Sequence, residues 1–282
     1  MSLSTFTITN EDTPTPLPVE CPPDLPKDKL LQFPAFKTWL STLQRSLQSQ
    51  QNPSHEFHAD PYTLRKIHVQ AVDYFGGGRL GFVKLRATVS NTRGESLPGS
   101  VFLRGGSVAM LLILQPDDAP PSADDEKCAI LTVQPRIPAG SLSFAEIPAG
   151  MLDDSGSFAG GAAKEIHEET GLTIPQEELV DMTALAMGSG ARRDGEEETL
   201  QDAVYPSAGG SDEFIPIFLC QKRMPREEIE ALQGRLTGLR QHGEKITLKV
   251  VPLRELWREG ARDGKTLAAW ALYTGLRGEG KI

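Results

Sequence analysis

Three glutamates near the middle of the chain, Glu165, Glu168 and Glu169, have a spacing that could serve chemistry. On a helix, positions i, i+3 and i+4 fall on a single edge about 100° wide, so the three carboxylates would lie side by side. Such neighbours repel one another by roughly 0.2–0.5 kcal/mol per pair. Two interpretations stay open: a solvated helix face, or a site where carboxylate oxygens, waters and substrate phosphates surround a hard divalent cation such as Mg²⁺.

The helix that would carry these glutamates is predicted over residues 158–170, with Gly171 as its C-terminal cap. Its apolar stripe includes Ala163 and Ile166, which recur at the helical period. The acidic edge is predicted to face away from this stripe. The carboxylates are therefore expected to meet solvent or a ligand rather than the core.

The segment from Gly150 to Leu172 reads GMLDDSGSFAGGAAKEIHEETGL and resembles the signature of Nudix hydrolases, G-x5-E-x7-R-E-U-x-E-E-x-G-U, where U is a bulky aliphatic residue. The spacing is kept throughout. Two positions depart from the signature: Gly156 stands where it has Glu, and Lys164 stands where it has Arg. A lysine keeps the positive charge but lacks the bidentate guanidinium. We expect both departures to affect the rigidity of the loop and helix more than metal binding.

Segments outside the signature narrow the resemblance to the nucleoside-diphosphate-sugar pyrophosphatases that act on ADP-ribose and related compounds. These segments are EIPAGMLD at 146–153, FLRGGSVAMLL at 102–112, VQPRIP at 133–138 and SAGGSDE at 207–213. In the last of them Ala208 replaces the usual proline. The resemblance is greatest to ADP-sugar diphosphatases of the plant type and covers about residues 34–275 of the chain.

The resemblance implies a metal site formed by the carboxylates of Glu165 and Glu169 and the main-chain carbonyl of Ala149. Glu168 would be a further ligand or would support the ligands. The implied cofactor is Mg²⁺, with Mn²⁺ as an alternative. Such ions bridge phosphate oxygens, lower the pKa of bound water and stabilise the charge that develops during hydrolysis.

The resemblance also assigns roles to four residues outside the metal site. Arg104 and Arg136 match arginines that hold phosphate oxygens, and Glu213 would approach the metals and the diphosphate from its loop. Glu244 precedes the predicted strand ITLKVV and falls where the catalytic base is placed. Other interpretations stay open, because the arginines could be surface ion-pair partners and Glu244 an ordinary loop acid.

The implied substrate is a nucleoside-diphosphate sugar, and the implied reaction is Mg²⁺-dependent hydrolysis of its diphosphate bond. For ADP-ribose or ADP-glucose the products would be AMP and a sugar phosphate. Two other functions stay open. A UDP-sugar pyrophosphatase would share the same metal site. A sensor that binds a nucleotide sugar without turnover is favoured by Gly156 and Lys164 but not by the retained glutamates.

Composition excludes several other classes of partner. The 29 Lys and Arg against 38 Asp and Glu give a net charge of −9, which disfavours a nucleic-acid partner because an acidic surface repels a polyanion. No run approaches the roughly 20 apolar residues of a membrane helix, so no membrane partner is expected. Three cysteines without ligand-like spacing indicate reduced thiols and a cytoplasmic protein.

Three regions are predicted along the chain. Residues 1–34 are rich in Ser, Thr and Pro and are expected to form a disordered or extended arm. Residues 35–97 begin with an amphipathic helix that would pack on a neighbouring sheet or form a dimer contact, and continue as short β-rich runs. Residues 98–282 would form the hydrolase domain. The predicted fold is an α/β/α sandwich with a mixed sheet and an N-terminal β-rich extension, and the resemblance implies a homodimer.

Overall fold

The computed structural model describes residues 3–10, 13–152, 158–188, 200–239 and 245–282. Internal contacts divide the chain into two compact units. The first unit takes the chain up to Gly106 and also includes Ser207–Phe214, whereas the second begins at Ser107 and ends at Ile282. The boundary predicted between residues 97 and 98 falls inside the first unit.

Among the described residues, the first unit contains a six-stranded sheet. Its strands are β1 (Ser4–Asn10), β2 (Thr13–Cys21), β3 (Thr63–Phe75), β4 (Arg79–Ser90), β5 (Ser96–Leu97) and β6 (Ser100–Leu103). They lie in the order β1-β2-β3-β4-β5, with β6 also paired to β4. The β2–β3 pair is parallel and the other pairs are antiparallel. Much of the predicted N-terminal arm is therefore paired strand.

Two helices follow β2 in the first unit, α1 (Lys27–Gln32) and α2 (Pro34–Ser49). Proline opens α2 because the first helical position needs no N–H donor and favours the φ that proline fixes. The side chains of Phe36 and Leu40 belong to the same buried cluster as Ile67 of β3. This confirms one of the two alternatives for the amphipathic helix, its packing on the neighbouring sheet.

Among its described residues, the second unit contains an eight-stranded sheet. The strands are β7 (Ser107–Pro116), β8 (Cys128–Arg136), β9 (Ser141–Glu146), β10 (Ala149–Met151), β11 (Val180–Asp181), β12 (Ile217–Met224), β13 (Leu236–Thr237) and β14 (Ile246–Pro252). They lie in the order β11-β12-β7-β8-β14-β13, and in addition β10 pairs with β7 and β9 pairs with β8. Of the pairs between these described strands, only β12–β7 is parallel, so the sheet is mixed.

Helices cover both faces of this second sheet. They are α3 (Phe158–Thr170), α4 (Met182–Met187), α5 (Arg226–Glu230), α6 (Leu256–Glu259) and α7 (Gly264–Gly278). Every residue of β7 is buried, and the alternation of its side chains divides them between two cores. Leu111 packs in the core that includes Tyr273 of α7, whereas Met110 packs in the core that includes Ile166 of α3. The predicted α/β/α sandwich is confirmed.

All three cysteines are free, and Cys21 and Cys220 are buried. Burial raises the pKa of the Cys220 thiol to about 11, and the pKa of Cys128 to about 11 for the same reason. These thiols are protonated near neutral pH and are therefore poor nucleophiles. Among the described residues, no helix has both the length and the apolar character needed to cross a bilayer.

Removing the Leu111 side chain should test the central position of β7. We expect Leu111→Ala to lower the free energy of unfolding by about 2–5 kcal/mol, because the packed sandwich cannot fully close the resulting cavity. The control is Leu142→Ala at a side chain that is 76% exposed, with an expected change within about 0.5 kcal/mol. Denaturant unfolding followed by circular dichroism measures both, and equal losses would contradict this view of the core.

Candidate functional site

Strand β10, which precedes the predicted metal-binding helix α3, is hydrogen-bonded to a central strand of the second sheet. Strand β10 pairs with β7, which places Gly150 opposite Val108 and Ala149 opposite Ala109. Just before β10, the carbonyl of Pro148 accepts a hydrogen bond from the N–H of Met110 at 2.9 Å. The main chain that leads into α3 is therefore held by the most buried strand of the unit.

Glu165 lies directly against this main chain. A β-carbon at Gly150 would stand 1.8 Å from Cδ of Glu165 and 2.2 Å from each of its carboxylate oxygens. Any side chain at position 150 would thus overlap the carboxylate. The glycine that opens the signature lets the carboxylate of Glu165 approach the backbone of β10, and a side chain at this position would force that carboxylate to move.

Glu169 lies one helical turn further along α3 and is only 1% exposed. Its Oε2 accepts a hydrogen bond from the N–H of Ala149 at 2.9 Å, and its Oε1 accepts a longer one from Nε2 of Gln134 at 3.4 Å. The expectation that the whole acidic edge faces away from the packed side is therefore wrong for Glu169. Glu165 and Glu168 are half-buried.

Arg136 lies at the end of β8 and is tied to a buried carboxylate. Its Nε donates to Oε1 of Glu146 at 2.6 Å, and Glu146 is 2% exposed. Partial burial by itself would lower the pKa of Arg136, but the charges of Glu146 and Glu169 outweigh this and the net shift is upward. Arg136 is thus an ion-pair partner through its Nε, as one of the two interpretations of the sequence predicted. The arginine also interacts electrostatically with Glu169.

Lys265 completes the charge balance around Glu146. Its Nζ donates to Oε2 of Glu146 at 2.7 Å and to Oδ1 of Asp263 at 2.9 Å. Burial would lower the pKa of Lys265, but the two carboxylates raise it and the net shift is upward. The amine therefore remains charged at neutral pH. Lys265 was not predicted from the sequence, where its only signal is a lysine two positions after the helix-capping Asp263.

The first unit brings together two of the other predicted residues, Arg104 and Glu213. Nη1 of Arg104 lies 2.7 Å from Oε1 of Glu213. The carboxylate of Asp212 accepts hydrogen bonds from the N–H of Arg104 at 2.7 Å and from the N–H of Gly105 at 3.2 Å. Gly105 has φ of +80°, which glycine adopts without strain, so the turn is well defined. Asp212 was also missed, although it directly precedes Glu213 in the sequence.

The remaining sequence-based assignments are divided between the described and the undescribed residues. Lys164 lies on α3 and is exposed. Gly156 and the predicted base Glu244 lie outside the described residues. The second unit therefore contains Ala149, Glu168 and the other predicted ligands together with Arg136, and the first unit contains Arg104 and Glu213.

The oxygen donors around β10 and α3 fit a hard cation that keeps several of its coordinated water molecules. Within the part of the chain that the structure describes, no three His, Cys, Asp or Glu side chains are placed to share one ion. Mg²⁺ is usually held by one or two carboxylates, with waters and substrate phosphates completing its octahedron. Glu165 in contact with the main chain at Gly150, and Glu169 bonded to Ala149, supply oxygen donors of that kind.

Comparison with known proteins identifies the family of this chain. Residues 118–270 match the NUDIX domain. The chain is 39% identical over 250 residues to Nudix hydrolase 14, chloroplastic, of Arabidopsis thaliana, an alignment that covers 88% of this chain and 72% of that protein. A crystal structure of an ADP compounds hydrolase covers 78% of this chain and 99% of its own, with 14% identity and a TM-score of 0.45, a similarity too low to support an inference.

The chain belongs to the Nudix family. It is a hydrolase of the class that cleaves pyrophosphate bonds, and enzymes of this class generally use divalent metal cations. The resemblance found in the sequence is thereby confirmed.

Gly150→Ala should test the close approach of Glu165 to β10. The new methyl group would displace the carboxylate, and a misplacement of about 1 Å in a catalytic site can cost about 10²-fold in rate. The control is Gly275→Ala, because a β-carbon at that helical position meets nothing within 4 Å. Steady-state kinetics of pyrophosphate-bond hydrolysis should show a loss of activity for Gly150→Ala alone. Circular dichroism should show that both variants are folded. Full activity in a folded Gly150→Ala protein would exclude this contact from the site.

Proposed function

We propose that this Nudix hydrolase cleaves the diphosphate bond of an ADP-sugar, either ADP-ribose or ADP-glucose, with Mg²⁺ as cofactor, and yields AMP and a sugar phosphate. The observation that carries the proposal is the contact of the Glu165 carboxylate with the backbone of Gly150, beside the bond between Glu169 and Ala149. The ADP-sugar assignment rests on the segments EIPAGMLD, VQPRIP and SAGGSDE that flank or follow the signature.

The proposed metal ligands are Glu165, Glu169 and the main-chain carbonyl of Ala149, with Glu168 as ligand or support. A carboxylate has about four lone-pair positions. Glu169 can therefore accept the N–H of Ala149 and still offer oxygen to an ion. When bound, Mg²⁺ or Mn²⁺ would neutralise the diphosphate and lower the pKa of a water molecule. The buried hydrogen bond of Glu169 fixes its rotamer before any ion arrives.

The other proposed roles belong to residues that bind phosphate or move a proton. Arg136 would donate its terminal N–H groups to phosphate oxygens, a strong charge-assisted contact. Arg104 is the second proposed phosphate ligand and Glu213 a proposed catalytic carboxylate; their ion pair in the first unit keeps the arginine oriented. Glu244 is the proposed general base, and this role rests on its position before β14 in the sequence.

A homodimer and a cytoplasmic location complete the proposal. The homodimer rests on the resemblance, because the apolar face of α2 is already packed within the first unit. The cytoplasmic location rests on the three free cysteines. The name of the Arabidopsis relative assigns that protein to the chloroplast.

A panel of nucleotide sugars tests the substrate and the metal together. With Mg²⁺ present, we expect ADP-ribose or ADP-glucose to be hydrolysed to AMP at a higher kcat/KM than UDP-glucose, and chelation by EDTA should abolish the reaction. Preferred hydrolysis of UDP-glucose would instead establish a UDP-sugar pyrophosphatase. Tight binding of an ADP-sugar without release of AMP would reject the ADP-sugar as the substrate.

The same panel includes a matched pair of carboxylate variants. Glu169→Gln removes a charge from the proposed metal site and keeps an oxygen that can accept the N–H of Ala149, so turnover should fall by about 10²-fold or more. Glu177→Gln removes one charge from an exposed position and should change nothing. Unchanged turnover of Glu169→Gln at saturating Mg²⁺ would refute the ligand assignment.

Glu244→Gln tests the proposed base. Glutamine keeps the size of the side chain but cannot accept a proton, so we expect kcat to fall by about 10²–10⁴-fold with little change in the substrate Kd. The acidic limb of the pH–rate profile should also flatten. Glu213→Gln is the comparison: if it abolishes turnover while Glu244→Gln keeps the normal kcat, Glu213 is the base.

A further inference from the structure

A cluster of buried polar side chains joins the N-terminus of α7 to the segment before β10. Asp263 caps α7, since its Oδ2 accepts the N–H of Thr266 at 3.1 Å and the hydroxyl of Thr266 at 2.7 Å. The same hydroxyl oxygen accepts the N–H of Ile147 at 3.1 Å. Residues separated by more than a hundred positions are thereby joined through a single threonine.

Lys265 holds the two carboxylates of this cluster together. Glu146 and Asp263 are 2% and 4% exposed, and Nζ of Lys265 bonds to both. Buried carboxylates that faced one another without a cation between them would repel strongly. Lys265 therefore occupies one oxygen of Glu146 and leaves the other oxygen for Arg136.

Arg136 presents its remaining N–H groups away from this ion pair. Only its Nε bonds to Glu146, and within the described residues Nη1 and Nη2 have no hydrogen-bond partner. The side chain is 39% exposed, and so the guanidinium is accessible as well as anchored. If Oε2 of Glu146 were released from Lys265, the guanidinium could turn to form the bidentate pair that arginine and carboxylate prefer. One terminal nitrogen of Arg136 would then no longer be available to bind a ligand.

We propose that Lys265 is a positioning residue for hydrolysis: it occupies Oε2 of Glu146, confines Arg136 to a single hydrogen bond through Nε, and so keeps both terminal nitrogens available to a diphosphate. The part that concerns the diphosphate rests on the proposed function. The part that concerns the orientation of Arg136 does not, and the two can be tested separately.

Chemical labelling tests the orientation of Arg136 without substrate or metal. Phenylglyoxal modifies accessible guanidinium groups of the folded protein, and peptide mass spectrometry after quenching and digestion gives the labelling rate at Arg136. We expect Lys265→Met to slow this rate severalfold and Lys265→Arg to restore it. The control is Lys249→Met, which breaks an exposed ion pair with Glu259 of similar length, 2.6 Å, and should leave the rate unchanged. An unchanged rate in Lys265→Met would overturn the proposal.

Kinetics with the preferred ADP-sugar tests the consequence for the substrate. Lys265→Met should raise KM by about tenfold, the cost expected for a lost charge-assisted hydrogen bond, with a smaller effect on kcat. In an Arg136→Ala background the same change should raise KM no further, because Lys265 acts through that arginine. Additive effects in the two backgrounds would indicate a merely structural role for Lys265 and overturn the proposal.

A second variant covers the case in which Lys265→Met does not fold. Asp263→Asn combined with Lys265→Met removes one charge of each sign, and asparagine caps a helix about as well as aspartate. The Arg136–Glu146 pair remains, so the same slow labelling is expected. If labelling changes as expected but no nucleoside-diphosphate sugar is hydrolysed by the unaltered enzyme, the proposed function fails while the positioning of Arg136 stands.

Discussion

The arrangement of the second unit depends on one close approach, that of the Glu165 carboxylate to the backbone at Gly150. Together with the hydrogen bond from the N–H of Ala149 to Glu169 one turn later, it joins α3 to β10. Strand β10 is in turn fixed by its pairing with β7. A charged side chain, a residue without a side chain and a buried strand thus form one geometric unit, and the positions of the other predicted ligands follow from it.

Burying carboxylates in an apolar sandwich is costly, and this unit compensates each of them in a different way. Glu169 receives main-chain and amide N–H groups, Glu146 receives two cations, and Asp263 receives the N-terminus of α7 together with one of those cations. Removing one of these donors would leave a buried carboxylate less fully compensated. The polar groups therefore restrict the relative positions of α3, α7 and β8 more closely than apolar packing alone would.

Local sequence patterns predicted the features that depend on local spacing. The signature, the limits of α3, the sandwich and the short β-rich runs after α2 all follow from periodicity or from motif positions. The burial of Glu169 could not be predicted, because its donor at Ala149 is twenty positions away and reaches it only through the fold. The bonds of Lys265 to Glu146 and of Asp212 to Arg104 span still larger separations. The strand pairing of the N-terminal arm could not be predicted for the same reason, since Val19 pairs with Ile67 across a long intervening segment.

The first unit is not a continuous stretch of chain, because Ser207–Phe214 belongs to it. The carboxylate that satisfies the backbone of Arg104 and Gly105 is supplied from that returning segment. During synthesis on the ribosome, the unit therefore cannot complete its own hydrogen bonding until a large part of the other unit has been translated. A gene fusion at a single junction could not transfer it to another protein intact. The two units are consequently expected to have been inherited together, despite their separate cores.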